Sequence, residues 1–235
     1  MIWIDRLALF SPLDFAALGA LLLFWIGIGW RIEHPRPARP SVSALMAGYR
    51  RLWMAQMVTR QPRMFDSSLV GQLRQTTAFF TSAAMIAIGG GLALIGNAEQ
   101  IAGVAQDFAL GGSPAFVWEI KVLVVLLLLT NAFLKFVWAN RLFGYCSIVM
   151  GSVPNDPEDP LAYPRAAQAA ELSITAGRSF NRGLRATYFA LAAMTWLAGA
   201  VPLLLATLVT SAVLYRREFV SQSRQVLAEL PPQTR

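Results

Sequence analysis

The chain has 235 residues, of which 56% are hydrophobic and only 14% charged, and its net charge is +7. About 25% charged residues is usual for a soluble domain, so this composition excludes an ordinary one and points to the membrane. Eighteen of the twenty basic residues are Arg, and most lie beside apolar stretches instead of gathering with aromatics on a soluble module, which argues against a nucleic-acid binder.

Four long apolar stretches follow one another, at residues 13–30, 78–96, 117–139 and 187–213. A helix rises about 1.5 Å per residue, so each is about long enough for a hydrocarbon core of about 30 Å. The first is longer than a secretory signal core. Its positive flank, Arg31, Arg36 and Arg39, comes after it, so it reads as a retained helix with its N-terminus outside. His34 and Cys146 are each the only residue of their type, which excludes an internal disulfide and leaves no basis for a metal or haem cofactor.

Loop charge sets the topology. Residues 31–77 hold Arg31, Arg36, Arg39, Arg50, Arg51, Arg60, Arg63 and Arg74 against Glu33 and Asp66. Residues 97–116 hold Glu99 and Asp107 and no basic residue, while residues 140–186 hold Arg141, Arg165, Arg178, Arg182 and Arg185. The positive-inside rule makes the first and third segments cytoplasmic and the second external, with both termini outside. Arg216 and Arg217 resist this, because they place a basic pair at the start of the tail, residues 214–235. Two full crossings need about forty residues. The 187–213 stretch therefore reads as one helix kinked at Pro202, and the tail stays outside.

The basic segments have helical periodicity. From Ser43 to Arg60, Leu45, Met46, Tyr49, Leu52, Trp53 and Met57 recur at helical spacing, as in a helix that lies in the head-group plane or packs on the bundle's inner end. Pro62 ends or kinks it, and Asp66 is placed to cap a helix running into the second span. In the third segment a turn-rich stretch at residues 154–160 precedes an Ala-rich helix from about Arg165 towards Gly177. The acids Asp156, Glu158 and Asp159 read as a solvated turn, since they lack calcium-loop spacing.

The string Tyr49-Arg-Arg-Leu-Trp-Met-Ala-Gln-Met57, with Arg60, Asp66 and Phe79-Phe80, resembles an uncharacterised integral membrane family, domain of unknown function five-nine-nine. So do Trp118-Glu-Ile-Lys121, Phe133-Leu-Lys-Phe-Val-Trp138 with Arg141, Asn181-Arg-Gly-Leu-Arg185 and Arg216-Arg-Glu-Phe219. The resemblance extends from about Leu13 to Ser221. It implies a four-span membrane protein and carries no activity, substrate or catalytic residue.

Charge inside a span is costly, so the third span holds the first functional candidates. Lys121 and Lys135 differ by only about 40° around a helix, with Asn131 within about 80° of both and Trp138 about one turn further. This stripe is either a cationic lining that attracts an anion or two lysines reaching water from the span ends, with Asn131 bonding a neighbouring helix. Arg141, Asn181, Arg182 and Arg185 lie at a similar depth and form either a basic pocket for an anionic head group or simple positive-inside anchors. In the second span, Ala83, Ala87 and Gly91 repeat every four residues, and Gly89-Gly90-Gly91 removes side chains altogether. Such a surface suits close helix packing, within the chain or between copies, or a broken helix beside a conduction path.

The fold class expected is all-α: a four-transmembrane-helix bundle with additional amphipathic cytoplasmic helices, multi-pass in a bacterial-type inner membrane. The expected partners are the bilayer, anionic head groups at its cytoplasmic face, and a second copy or another membrane protein. With no paired carboxylates in the spans and no nucleophile–histidine arrangement, the expected function is a non-enzymatic structural or accessory role. A small oligomeric channel or transporter is the alternative.

Overall fold

The computed structural model describes residues 8–97 and 114–229, which are helical throughout their regular parts. The acidic segment around Glu99 and Asp107 lies outside the described residues. Helix α1 (Pro12–Glu33) starts where Ser11 and Asp14 exchange hydrogen bonds: Ser11 N–H and Oγ donate to Asp14 Oδ2 at 3.0 and 2.7 Å, and Asp14 N–H donates back to Ser11 Oγ at 3.2 Å. This reciprocal cap, with Pro12 at the first helical position, satisfies free N–H groups of the first turn. Helix α2 (Val42–Thr59) is capped by Ser41, whose hydroxyl accepts from Ala44 N–H at 3.2 Å. Helices α3 (Met64–Gly96) and α4 (Ala115–Gly151) have 33 and 37 residues. At about 50 and 55 Å they run well beyond a hydrocarbon core.

Helix α5 (Ala162–Met194) joins the expected Ala-rich helix to the beginning of the fourth apolar stretch. A 3-10 turn at Thr195–Ala198 and Gly199 then reverse the chain into α6 (Ala200–Phe219), followed by the short α7 (Gln222–Ala228). The reading of 187–213 as one helix kinked at Pro202 is therefore corrected. Gly199 has φ 125°, a conformation open to a residue without Cβ. Pro202 lies in the first turn of α6, where its missing N–H leaves no helical bond unmade. The hairpin is possible because its first arm begins far back in the polar segment, at Ala162. Among the described residues, four helical segments are long and apolar enough to cross a membrane: α1, α3, α4 and Ala200–Ala228.

The chain forms two compact units. Among the described residues the first comprises 8–29, 83–97, 114–133 and Leu184–Leu214. Its core joins Ala17 and Leu21 of α1, Val125 and Leu128 of α4, Phe189 and Ala193 of α5, Trp196, and Leu203 of α6. The second comprises Trp30–Ser82, Leu134–Gly183 and residues 215–229. Its core joins Met54, Met57 and Val58 of α2 to Val70 of α3, Phe143 and Cys146 of α4, and Ala166, Ala169 and Ala170 of α5. Both expected basic segments thus fold into one packed body, and the tail belongs to it.

Two local expectations change. The buried face of α2 is Ala47, Met54, Met57 and Val58, while Met46, Tyr49 and Leu52 are exposed. Arg50 turns inward instead: its Nη1 donates to Ser173 Oγ at 2.5 Å and its guanidinium stacks 5.7 Å from the Phe143 ring centroid. Burial draws its pKa down from the usual arginine value. Asp66 is not a cap either. It lies inside the first turn of α3, fully buried, and accepts from Trp53 Nε1 at 2.7 Å and from Arg60.

Candidate functional site

The end of α1, the start of α2, the middle of α5 and the end of α6 meet within the second unit. Glu218 of α6 is 5% exposed, and its Oε2 accepts from both the backbone N–H and the hydroxyl of Ser43, each at 3.0 Å. A carboxylate at a helix N-terminus satisfies free N–H groups and complements the helix dipole. Phe219 is buried beside it, with the Arg31 guanidinium 4.7 Å from its ring centroid, and its carbonyl accepts from Arg39 Nη2 at 3.3 Å. The tail continues across the same segment, where Arg224 Nε donates to the Pro40 carbonyl at 2.8 Å. Groups hydrogen-bonded to one another cannot lie on opposite faces of a bilayer. The tail packs on residues 31–77, which does not fit the expectation that it lies outside while they lie inside.

Asn181 and Arg182 join this junction. Asn181 Nδ2 donates to Ser43 Oγ at 3.4 Å. Arg182 grips Glu33 with two hydrogen bonds, Nε to Oε1 at 2.9 Å and Nη2 to Oε2. The bidentate fork matches carboxylate geometry. Arg182 is thus committed to a carboxylate of the chain itself. Arg185 belongs to the first unit, is 5% exposed, and packs with Nε 3.6 Å from where a Cβ would stand on Gly29. Neither arginine presents an open cationic pocket.

In the first unit, Lys121 is 8% exposed and lies between two tryptophans, with Nζ 5.7 Å from the Trp118 ring centroid and 5.8 Å from that of Trp196. Trp196, in the hairpin turn, donates Nε1–H to Asp14 Oδ1 at 2.7 Å, and Asp14 acts electrostatically on Lys121. Hence the hairpin turn is fastened to the starts of α1 and α4. The rest of the predicted stripe is not gathered with Lys121: Asn131 and Lys135 are half-buried, and Trp138 is exposed. Arg141 is exposed and donates Nε–H to Tyr145 Oη at 2.6 Å.

The small residues of α3 divide between two faces. Gly91 meets Leu126 so closely that an added Cβ would stand 2.5 Å from Cδ2, and Ala84 is buried. Ala83, Ala87, Gly89 and Gly90 are exposed, and a Cβ on either of these two glycines would meet open space. Packing inside the chain therefore uses Ala84 and Gly91.

Reasoning from sequence missed Glu33, Ser43, Glu218, Asp14 and Trp196. A usable signal existed for Ser43, because Ser41-Val-Ser43 stands at the head of a periodic run, the usual place of a helix cap. For Glu218 and Trp196 only the fold brings the partners close.

The model of one family, described as a protein of unknown function, DUF599, matches residues 16–223. The chain belongs to this family. No curated protein and no solved structure matches it.

Proposed function

We propose that this member of an uncharacterised family is a non-enzymatic structural or accessory protein of a bacterial-type cytoplasmic membrane, with its N-terminus outside and its tail inside. The observation that carries the reading is the bonding of Glu218 to Ser43, which ties the tail to the first basic segment within one packed body. With tail and basic segments together, Arg216 and Arg217 agree with the positive-inside rule. We read the upper part of α5 as crossing beside α6, sheltered by it, which makes a fifth pass besides the four apolar segments.

The channel alternative loses its main support in Lys121. A lysine enclosed by Trp118 and Trp196, with Asp14 as counter-charge, acts as a clasp for the hairpin and not as the lining of a path. The test is ion flux through proteoliposomes holding the purified, inserted protein, beside a Lys135→Ala variant. No flux above empty liposomes is expected from either. Flux in the wild type that drops or changes ion preference in the variant overturns the accessory reading.

A further inference from the structure

Several arginines of the second unit are committed within the chain. Arg31, Arg39, Arg50, Arg60, Arg63, Arg182 and Arg224 hold rings, carbonyls or carboxylates of the chain itself. On the α3–α4 surface Arg74 makes no such contact among the described residues, and Arg141 meets Tyr145 alone, its guanidinium 5.7 Å from that ring's centroid. Asn140 Nδ2 donates to the Arg74 carbonyl at 3.0 Å and to Thr77 Oγ at 3.2 Å, which pins this turn of α3 onto α4 one residue before Arg141. Gly144, one turn after Arg141, has no side chain, and the Arg74 guanidinium carbon lies 4.0 Å from where its Cβ would be. Residues three apart on a helix are surface neighbours, about 5–6 Å between Cβ positions. The two guanidiniums therefore share one patch of α4. Both are exposed, and neither has an acidic partner among the described residues.

Tyr145 completes the patch. Its oxygen accepts from Arg141 Nε, which leaves its own O–H to donate and leaves the Nη groups of Arg141 without a partner. The side leading to the apolar span is greasy: Leu134 is 57% exposed and Trp138 47%, and they lie seven and three residues before Arg141 on one helix face. Cationic donors at the end of an exposed apolar face match an amphiphile with an anionic head. We propose that Arg74, Arg141 and Tyr145 bind the phosphate of an anionic phospholipid, with an acyl chain lying along Leu134 and Trp138. Two guanidiniums and a phenol supply charge-assisted donors to the phosphate oxygens. The site rests on the membrane reading above and assigns it a specific lipid contact.

The test is native mass spectrometry of the detergent-purified protein, titrated with short-chain phosphatidylglycerol and with phosphatidylcholine of the same chain length. The expected result is saturable binding of phosphatidylglycerol, with phosphatidylcholine weaker by about tenfold. An Arg74→Gln/Arg141→Gln double variant is expected to lose about tenfold or more in affinity, while Arg178→Gln, an exposed arginine elsewhere in the unit, leaves it unchanged. A Gly144→Leu variant keeps both charges but displaces Arg74, and is expected to weaken binding as well. Retained binding in the double variant overturns the site, as does equal binding of the two lipids. Competition by inorganic phosphate alone, with no dependence on the acyl chain, overturns the lipid assignment in favour of a free-phosphate site. Because the readout needs no liposome and no flux, its failure is separable from failure of the accessory reading.

Discussion

Glu218 accepts two hydrogen bonds from Ser43, a residue 175 positions earlier, and by doing so closes the last long helix onto the first basic segment. The carboxylate is nearly buried, so its hydrogen bonds are poorly replaced by water. A Glu218→Ala variant is expected to lose about 1.5–3 kcal/mol, the range for hydrogen bonds to a charged group. Ser43→Ala is expected to lose about 0.5–1.5 kcal/mol. Thermal unfolding in detergent, read as a double-mutant cycle, checks both. The pair is expected to be non-additive by more than about 0.5 kcal/mol, because the residues share their bonds. Additive losses would show that Glu218 is held by something other than Ser43.

The same contact predicts that the tail shares the side of residues 31–77. Cysteine substitutions at Ala8, Ala198 and Ser223, all exposed, report three positions along the proposed path. Cys146, the native thiol, is buried and donates to the Ala169 carbonyl at 3.3 Å, so its own labelling is expected to be slow. With a membrane-impermeant maleimide on intact cells, Ala8→Cys and Ala198→Cys are expected to react. Ser223→Cys is expected to react only after permeabilisation. Labelling of Ser223→Cys in intact cells would return the tail to the outside.

The three apolar stretches that became α1, α3 and α4 were legible because length and hydropathy alone identify a span. The fourth was only half legible. Its apolar length matched one crossing, but the turn at Gly199 and the use of Pro202 as a first-turn residue depend on a helix that starts in polar sequence at Ala162. A hydropathy window does not capture the register of α5, where Arg182 pairs with Glu33 and Arg185 packs against Gly29. The α2 face was misread for a related reason. Large side chains at Met46, Tyr49 and Leu52 marked the apolar side, whereas the core took Ala47 and Met54 and the inward-turned Arg50. Of the candidate site, Arg141 and Trp138 were visible in sequence. Tyr145 stands one turn after Arg141 on the same helix, whereas Arg74 joins them only because Asn140 and Gly144 let α3 pack against α4.

Glycine positions separate packing from open surface. Phe136 fills the space that Gly183 leaves, with ring atoms 2.5, 2.7 and 3.0 Å from a would-be Cβ, and it is braced by Phe80 and Phe180 at centroid distances of 5.5 Å each. A rigid ring held on two sides cannot yield cheaply. Gly183→Ala is expected to cost about 1–3 kcal/mol, as over-packing does. Gly90→Ala, open on all sides, is expected to stay within about 0.5 kcal/mol or to stabilise its helix. Midpoints of thermal unfolding for the two variants check the contrast, and a destabilising Gly90→Ala would point to a close neighbour on that face in an assembly.

Lys121 and Asp14 give the clearest sign test. Asp14 holds the Trp196 indole, caps the start of α1 through Ser11 and faces the charge of Lys121, so Asp14→Ala removes three interactions together. Losing hydrogen bonds to a charged group predicts about 2–3 kcal/mol or more of destabilisation, with a buried lysine left uncompensated. Lys121→Met alone keeps the Asp14–Trp196 bond and the apolar contact with both tryptophans, so its cost is expected to be smaller. In the Asp14→Ala background the same Lys121→Met change is expected to recover part of the lost stability, because it removes the unpaired buried charge. Unfolding midpoints for the two single variants and the double variant measure this. If Lys121→Met makes the Asp14→Ala protein still less stable, Asp14 is not the counter-charge of Lys121, and the clasp reduces to the Trp196 hydrogen bond.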